Sequence, residues 1–256
     1  MNLDKFFSRS GEYASYQMFS FEHAILVLFS AVVVFFLFYK SKNCIEKDNV
    51  TAVIKRCTII MWCMEIVKIV FNISNGNVEN INTYVPLYYC SIPLYCGLGS
   101  AYTKGKFKHL CDVFLIVGGI TGGVAYIIFP TTTAGGYPTI HMITMQSFIH
   151  HSIMVYLSFL LIKTNYVELN MRDIKYYSIV VITASIIALV VNSVFSSNLM
   201  FVSDYFSGTA TEILYRLCPE MYSVMITLIQ AFPPYFIVYG CVKIYNTHKK
   251  ELVKES

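Results

Sequence analysis

The sequence predicts an all-α fold, a polytopic membrane helical bundle, and three observations predict it. Apolar types make up 56% of the 256 residues and charged types only 13%, against roughly a quarter charged in soluble proteins. The mean hydropathy is +0.57. Apolar runs recur at lengths that cross, or nearly cross, about 30 Å of hydrocarbon at 1.5 Å per residue. A soluble monomer could not hide that much apolar surface, and the same figures exclude disorder, a collagen-like chain and a small disulfide-knotted domain. The net charge of +4 does not point to nucleic acid, because the basic residues fall between apolar runs and report orientation instead.

About seven transmembrane helices are expected, near His23 to Tyr39, Thr51 to Ile73, Tyr84 to Tyr102, Leu110 to Phe129, Ile140 to Ile162, Tyr176 to Phe201, and Met221 to Lys243. The first is not a cleavable signal: it follows a mixed segment, lacks a small-residue cleavage site and has its lysines after it. Cytoplasmic loops retain basic residues. Lys40, Lys42, Lys47, Lys55 and Arg56 separate the first two stretches, Lys104, Lys106 and Lys108 the third and fourth, and Lys163, Arg172 and Lys175 the fifth and sixth. Lys243, Lys249, Lys250 and Lys254 follow the seventh, whereas the opposite side has only Lys5, Arg9 and Arg216. The N-terminus is therefore expected outside and the C-terminus in the cytoplasm, in one transmembrane domain over 1–256 in the cell membrane. Eight cysteines without a CxxC pair suggest packed thiols rather than a framework.

Ionisable groups near the bilayer centre cost at least about 2.5 to 3.5 kcal/mol each, so they face the bundle interior and often mark a site. Glu65, Lys68 and Asn72 are spaced three and four apart and share one helical face. They read either as an internal ion pair that fixes packing or as the charged wall of a polar cavity. In the third stretch, Pro93 falls inside the expected helix and predicts a kink beside Cys90. Cys90 is either a packed thiol or a reactive one, with Cys96 and Cys111 as competitors. In the fifth stretch, Gln146 and His150 share one stripe while Thr144, Ser147 and His151 share its neighbour. Each histidine is an interhelical hydrogen-bonding group or a catalyst, and Asn192 has interhelical glue as its ordinary role. His23 and Glu22 are expected at the outer mouth of the first helix, where the interface would solvate them without any function, and Asp112 is expected to snorkel beside His109 and Lys108. At 1.5 Å per residue, Cys90, Glu65, Asn192 and His151 lie about 9 to 16 Å below the outer boundary, which suggests a polar chamber open toward the outer leaflet.

The segments Met18-Phe19-Ser20-Phe21-Glu22-His23, Pro86-Leu87-Tyr88-Tyr89-Cys90-Ser91, Gln146-Ser147-Phe148-Ile149-His150-His151, and Asn192 through Asn198-Leu199-Met200-Phe201 together resemble the YwaF-like bacterial integral membrane proteins. Those are similar in turn to the eukaryotic transmembrane protein 164 family. The resemblance runs in matching order over nearly the whole chain. It implies a membrane-embedded acyltransferase that moves a fatty acyl group between phospholipid and lysophospholipid through a cysteine, with a histidine nearby. The cysteine of the family's proline-leucine-x-x-cysteine motif matches Cys90, and the histidine of its fifth helix matches His151. Many relatives carry His two residues before that cysteine, where this chain has Tyr88.

The residues fit that chemistry. A thiolate is a nucleophile, and an imidazole can take its proton and later activate the incoming hydroxyl. Asn192 or Gln146 could donate to the oxyanion. Glu65, Lys68, Gln146, His150, Asn192 and His23 are the substrate-contacting candidates. Exchange between esters needs no ATP, and no P-loop or dinucleotide-binding glycine motif is present, so no cofactor and no metal are expected. The rival class is a transporter or small-ligand binding protein built on Glu65, Lys68, His151 and Asn192, with the Gly118-Gly119 and Gly122-Gly123 pairs allowing broken or closely packed helices. An assembly partner without chemistry is the third.

Overall fold

The computed structural model describes residues 3–42, 47–76, 81–205 and 210–255. Every regular element among them is helical. In chain order these are α1 (Leu3–Phe6), α2 (Phe21–Lys40), α3 (Lys47–Ser74), α4 (Ile92–Tyr102), α5 (Gly105–Ile128), α6 (Met142–Lys163), α7 (Ile174–Phe195), α8 (Ala210–Leu217), α9 (Tyr222–Ala231) and α10 (Pro233–Glu255). Among the described residues, six helical segments are long and apolar enough to cross a bilayer, α9 and α10 counting as one.

Helices α5 and α6 form the buried centre, and α2, α3, α4, α7 and the C-terminal pair pack around them. Side chains such as Val32, Phe35, Phe36, Ile186 and Val190 remain exposed on the outer helices, as they should where the solvent is hydrocarbon. With lipid outside, helix association rests on close packing rather than on a hydrophobic drive. The glycine pairs of α5 supply it without breaking the helix. A Cβ on Gly123 would lie 2.6 Å from Val155 Cγ2 and 3.0 Å from the His151 carbonyl. One turn or more further along, Ser158 Oγ donates to the Leu115 carbonyl at 2.7 Å and ties the same two helices.

The stretch Tyr84–Tyr102 departs from expectation. Only its second half is helix, and α4, at 11 residues, is too short to span about 30 Å. Helix α4 begins at Ile92, so Pro93 occupies its first turn, where a missing N–H costs nothing. The expected Pro93 kink does not exist. The break lies before the helix, in a 3₁₀ turn over Tyr89–Ser91. This segment still runs antiparallel beside α3, since Asn72 meets Thr83, Trp62 meets Leu94, and Thr58 abuts Gly97. Irregular backbone at membrane depth is tolerated only where its polar groups find partners, and side chains supply them here. Asn72 Nδ2 donates to the Thr83 carbonyl at 2.6 Å and Tyr95 OH to the Pro86 carbonyl at 3.0 Å, while Trp62 Nε1 ties the first turn of α4 to α3 through the Leu94 carbonyl at 3.0 Å.

The expected last helix is also two pieces. Pro233 and Pro234 have no N–H, which strips the carbonyls of Ile229 and Gln230 of helical partners, and the chain bends at Phe232 between α9 and α10. Helix α7 compensates. Tyr177 OH donates to the Gln230 carbonyl and Ser178 Oγ to the Ala231 carbonyl, both at 2.8 Å. Asp112 does not snorkel. It is buried, paired with Lys108 at 2.7 Å and hydrogen-bonded by Ser100, while His109 turns instead to Asp173 at 2.9 Å.

The segment before α2 folds over the loop between α5 and α6. Gly11 N–H donates to Gly136, Gly135 N–H to Tyr16, and Tyr16 N–H to Tyr137. Tyr16 OH shares a 2.6 Å hydrogen bond with Thr133 Oγ1. Burial pushes the Tyr16 phenol up from its ordinary value, with the neighbouring Tyr126 adding to the shift, so it stays protonated there.

Candidate functional site

Cys90 sits in the 3₁₀ turn at the broken segment, partly exposed, with its carbonyl turned toward α6. His150 Nε2 lies 3.1 Å from that carbonyl. A carbonyl only accepts, so Nε2 carries the proton, and Nδ1 keeps a lone pair that is buried with no hydrogen-bond partner in the structure. His151 is wired the opposite way. Its Nδ1 donates to the Ser147 carbonyl at 2.7 Å, which leaves Nε2 as the unprotonated nitrogen, buried and equally unpartnered. Two adjacent residues of α6, each 4% exposed, thus each commit one ring nitrogen to a carbonyl and leave the other buried without a partner. An orphaned buried acceptor is disfavoured, so such a pair is expected where a donor arrives with a ligand.

From α3, Glu65 is buried and pairs with Lys68 at 2.5 Å. Lys68 is close enough to act electrostatically on the Cys90 thiol and on both histidines, and Glu65 on the thiol and His150. Lys68 keeps about a quarter of its side chain exposed, so the pair borders the site rather than being sealed in the core. Gln146 is buried one turn before His150 and accepts from Ser147 Oγ at 3.3 Å.

The structure thus gathers Glu65, Lys68, Cys90, His150 and His151 around one break in the backbone. Two other candidates spend their hydrogen bonds elsewhere. His23 is buried rather than solvated at the mouth: its Nδ1 accepts from the Phe19 N–H at 3.0 Å and its Nε2 donates to the Ile127 carbonyl at 2.9 Å, using both nitrogens. Asn192 is consumed by the turn after α7. Its Nδ2 donates to the Leu199 carbonyl and Ser203 Oγ, and its Oδ1 accepts from Ser197 Oγ and the Leu199 N–H. That turn holds Ser196, Met200 and Phe201 at positive φ, a conformation non-glycine residues adopt only under constraint.

Tyr126 of α5 joins this group from the neighbouring helix. Its ring stacks on His151 with centroids 3.7 Å apart and planes 6° from parallel. Its hydroxyl meets Thr133 Oγ1 at 2.8 Å, the oxygen that also meets Tyr16. The cap formed by the segment before α2 is therefore connected to the imidazole through one aromatic ring. No spacing in the sequence announces this, because Tyr126 lies in an apolar helix like many others.

Apolar helices of spanning length around a buried polar cluster define a multi-span integral membrane protein. Residues 18–244 match the profile of the TMEM164 family, and the chain belongs to that family. Neither a curated protein nor a solved structure matches it.

Proposed function

We propose that this protein is a phospholipid acyltransferase of the cell membrane that works through a Cys90 thioester with His151 as base. The observation that carries the reading is the vacant, buried Nε2 of His151, fixed as an acceptor by its Nδ1 bond to Ser147 and held flat against Tyr126. In the first step Nε2 takes the thiol proton and the sulfur attacks the acyl carbonyl of a phospholipid. The ester C–O bond breaks, and the departing alkoxide recovers the proton from the imidazolium as lysophospholipid. In the second step an acceptor hydroxyl gives its proton to the same nitrogen, attacks the thioester and restores the thiol. His150 is the positioning residue: its Nε2–H grips the Cys90 carbonyl and keeps the turn in place. With the amide of Asn192 committed to its own turn, Gln146 is the remaining side chain for the oxyanion.

Purified protein given a labelled phospholipid should retain label that neutral hydroxylamine releases. Cys90→Ala should abolish it, whereas Cys96→Ala and Cys63→Ala should leave it. Label surviving in Cys90→Ala overturns the assignment, and no label in the wild type with several lipid donors returns the site to the transport reading.

A further inference from the structure

An apolar groove of about 430 Å³ runs along the flank of α2, walled by Val27, Val34 and Phe38 on one side and by Val124 and Ile127 of α5 on the other, with Val155 of α6 also lining it. Its volume falls in the usual range for small-ligand sites, roughly 300 to 1,000 Å³. From Val27 to Phe38 its wall extends about 16 Å at helical rise, the scale of a lipid tail rather than of a compact solute. One polar side chain lines it. Ser30 is 2% exposed, and its Oγ is buried without a hydrogen-bond partner in the structure. A serine inside a helix ordinarily returns its proton to the carbonyl one turn back, as Ser152 does to Phe148 at 2.7 Å. Ser30 does not. The groove is also within one turn of the candidate site, since Val155 follows His151 by four residues and Gly123 abuts both.

We infer that this groove seats one acyl chain of a membrane lipid, with an ester oxygen accepting from the Ser30 hydroxyl and the tail lying along Val34 and Phe38. Hydrocarbon is what surrounds α2 at this depth, and ester oxygens are the acceptors a lipid carries next to its chain. The inference rests on the acyl-transfer reading for the direction of the chain, because the ester end must lie toward His151.

The test uses the full-length protein in phosphatidylcholine vesicles containing a small fraction of phosphatidylcholine with a photoactivatable diazirine in one acyl chain. After irradiation, mass spectrometry should find adducts on Ala31, Val34 or Val124 several-fold above those on Ile186 and Val190, which are exposed on α7. Ala31→Trp, which fills the groove, should remove most of the groove adducts and leave those on α7. Ser30→Ala should lower groove labelling several-fold, as the loss of one hydrogen bond implies. Equal labelling of the groove and α7, or groove labelling indifferent to Ala31→Trp, means lipid solvation of the bundle only and overturns the inference. Running the same vesicles through the hydroxylamine assay separates the two ideas. Groove adducts without a Cys90 thioester sink the acyl-transfer reading alone, and a thioester without selective adducts sinks the groove alone.

Discussion

His150 and His151 differ in which nitrogen is committed, and in the proposed acyl transfer that difference divides their work. His150 holds a backbone carbonyl of the Cys90 turn, whereas His151 holds a carbonyl of its own helix and leaves Nε2 vacant. Replacement of His151 by Ala should therefore slow thioester formation and acyl transfer together, by about 10² to 10⁴-fold, the usual worth of a general base. His150→Ala should act through geometry: it removes the donor to Cys90 O, so thioester yield should fall while the pH profile of the residual reaction keeps its wild-type shape. His150→Gln, which retains a donor, should recover part of that yield. Identical pH profiles for the wild type and His151→Ala would contradict the base assignment.

At the scale of elements, the molecule twice breaks a segment that hydropathy reads as one helix, and each break is repaired from outside. The irregular segment before α4 is satisfied by Asn72, Tyr95 and His150. The bend between α9 and α10 is satisfied by Tyr177 and Ser178. These two repairs meet, because Tyr89, adjacent to Cys90, shares a 2.6 Å hydrogen bond with Tyr177 OH and a 2.7 Å one with Thr121. Tyr177→Phe keeps the ring but removes the hydroxyl that links the bend to the Cys90 turn. It should destabilise the protein by about 0.6 to 2 kcal/mol, the range of interhelical hydrogen bonds in membranes, measured by reversible denaturation in bicelles. Unchanged stability would show that the bend does not need α7.

For the whole molecule, the asymmetry of lysine and arginine between loops predicts orientation. A reporter fused after Lys250 should read as cytoplasmic, and one inserted near Gly135, in the loop capped by residues 11–16, should read as outside. Reversed signals at both would place Cys90 and the histidines toward the inner leaflet and change which lipids can reach them. Because residues 11–16 are joined to His151 through Tyr16, Thr133 and Tyr126, the side on which that reporter reads is also the side toward which the site lies.

By itself the sequence determined the helical membrane class, the approximate extent of the long apolar helices, the shared face of Glu65, Lys68 and Asn72, and the family. Those properties depend on composition, on the 3.6-residue period and on the order of short motifs, all of which are local or additive along the chain. Tertiary structure alone decided where the third stretch breaks. Pro93 is compatible with both an interior kink and a first turn, and the choice depends on side chains of α3 and α6 that satisfy the exposed carbonyls. It also decided which histidine nitrogen is free, that Tyr126 stacks on His151, and that His23 and Asn192 are bound up in their own neighbourhoods. A polar residue inside an apolar run looks the same in sequence whether its hydrogen bonds are filled or vacant, because its partners lie on other helices.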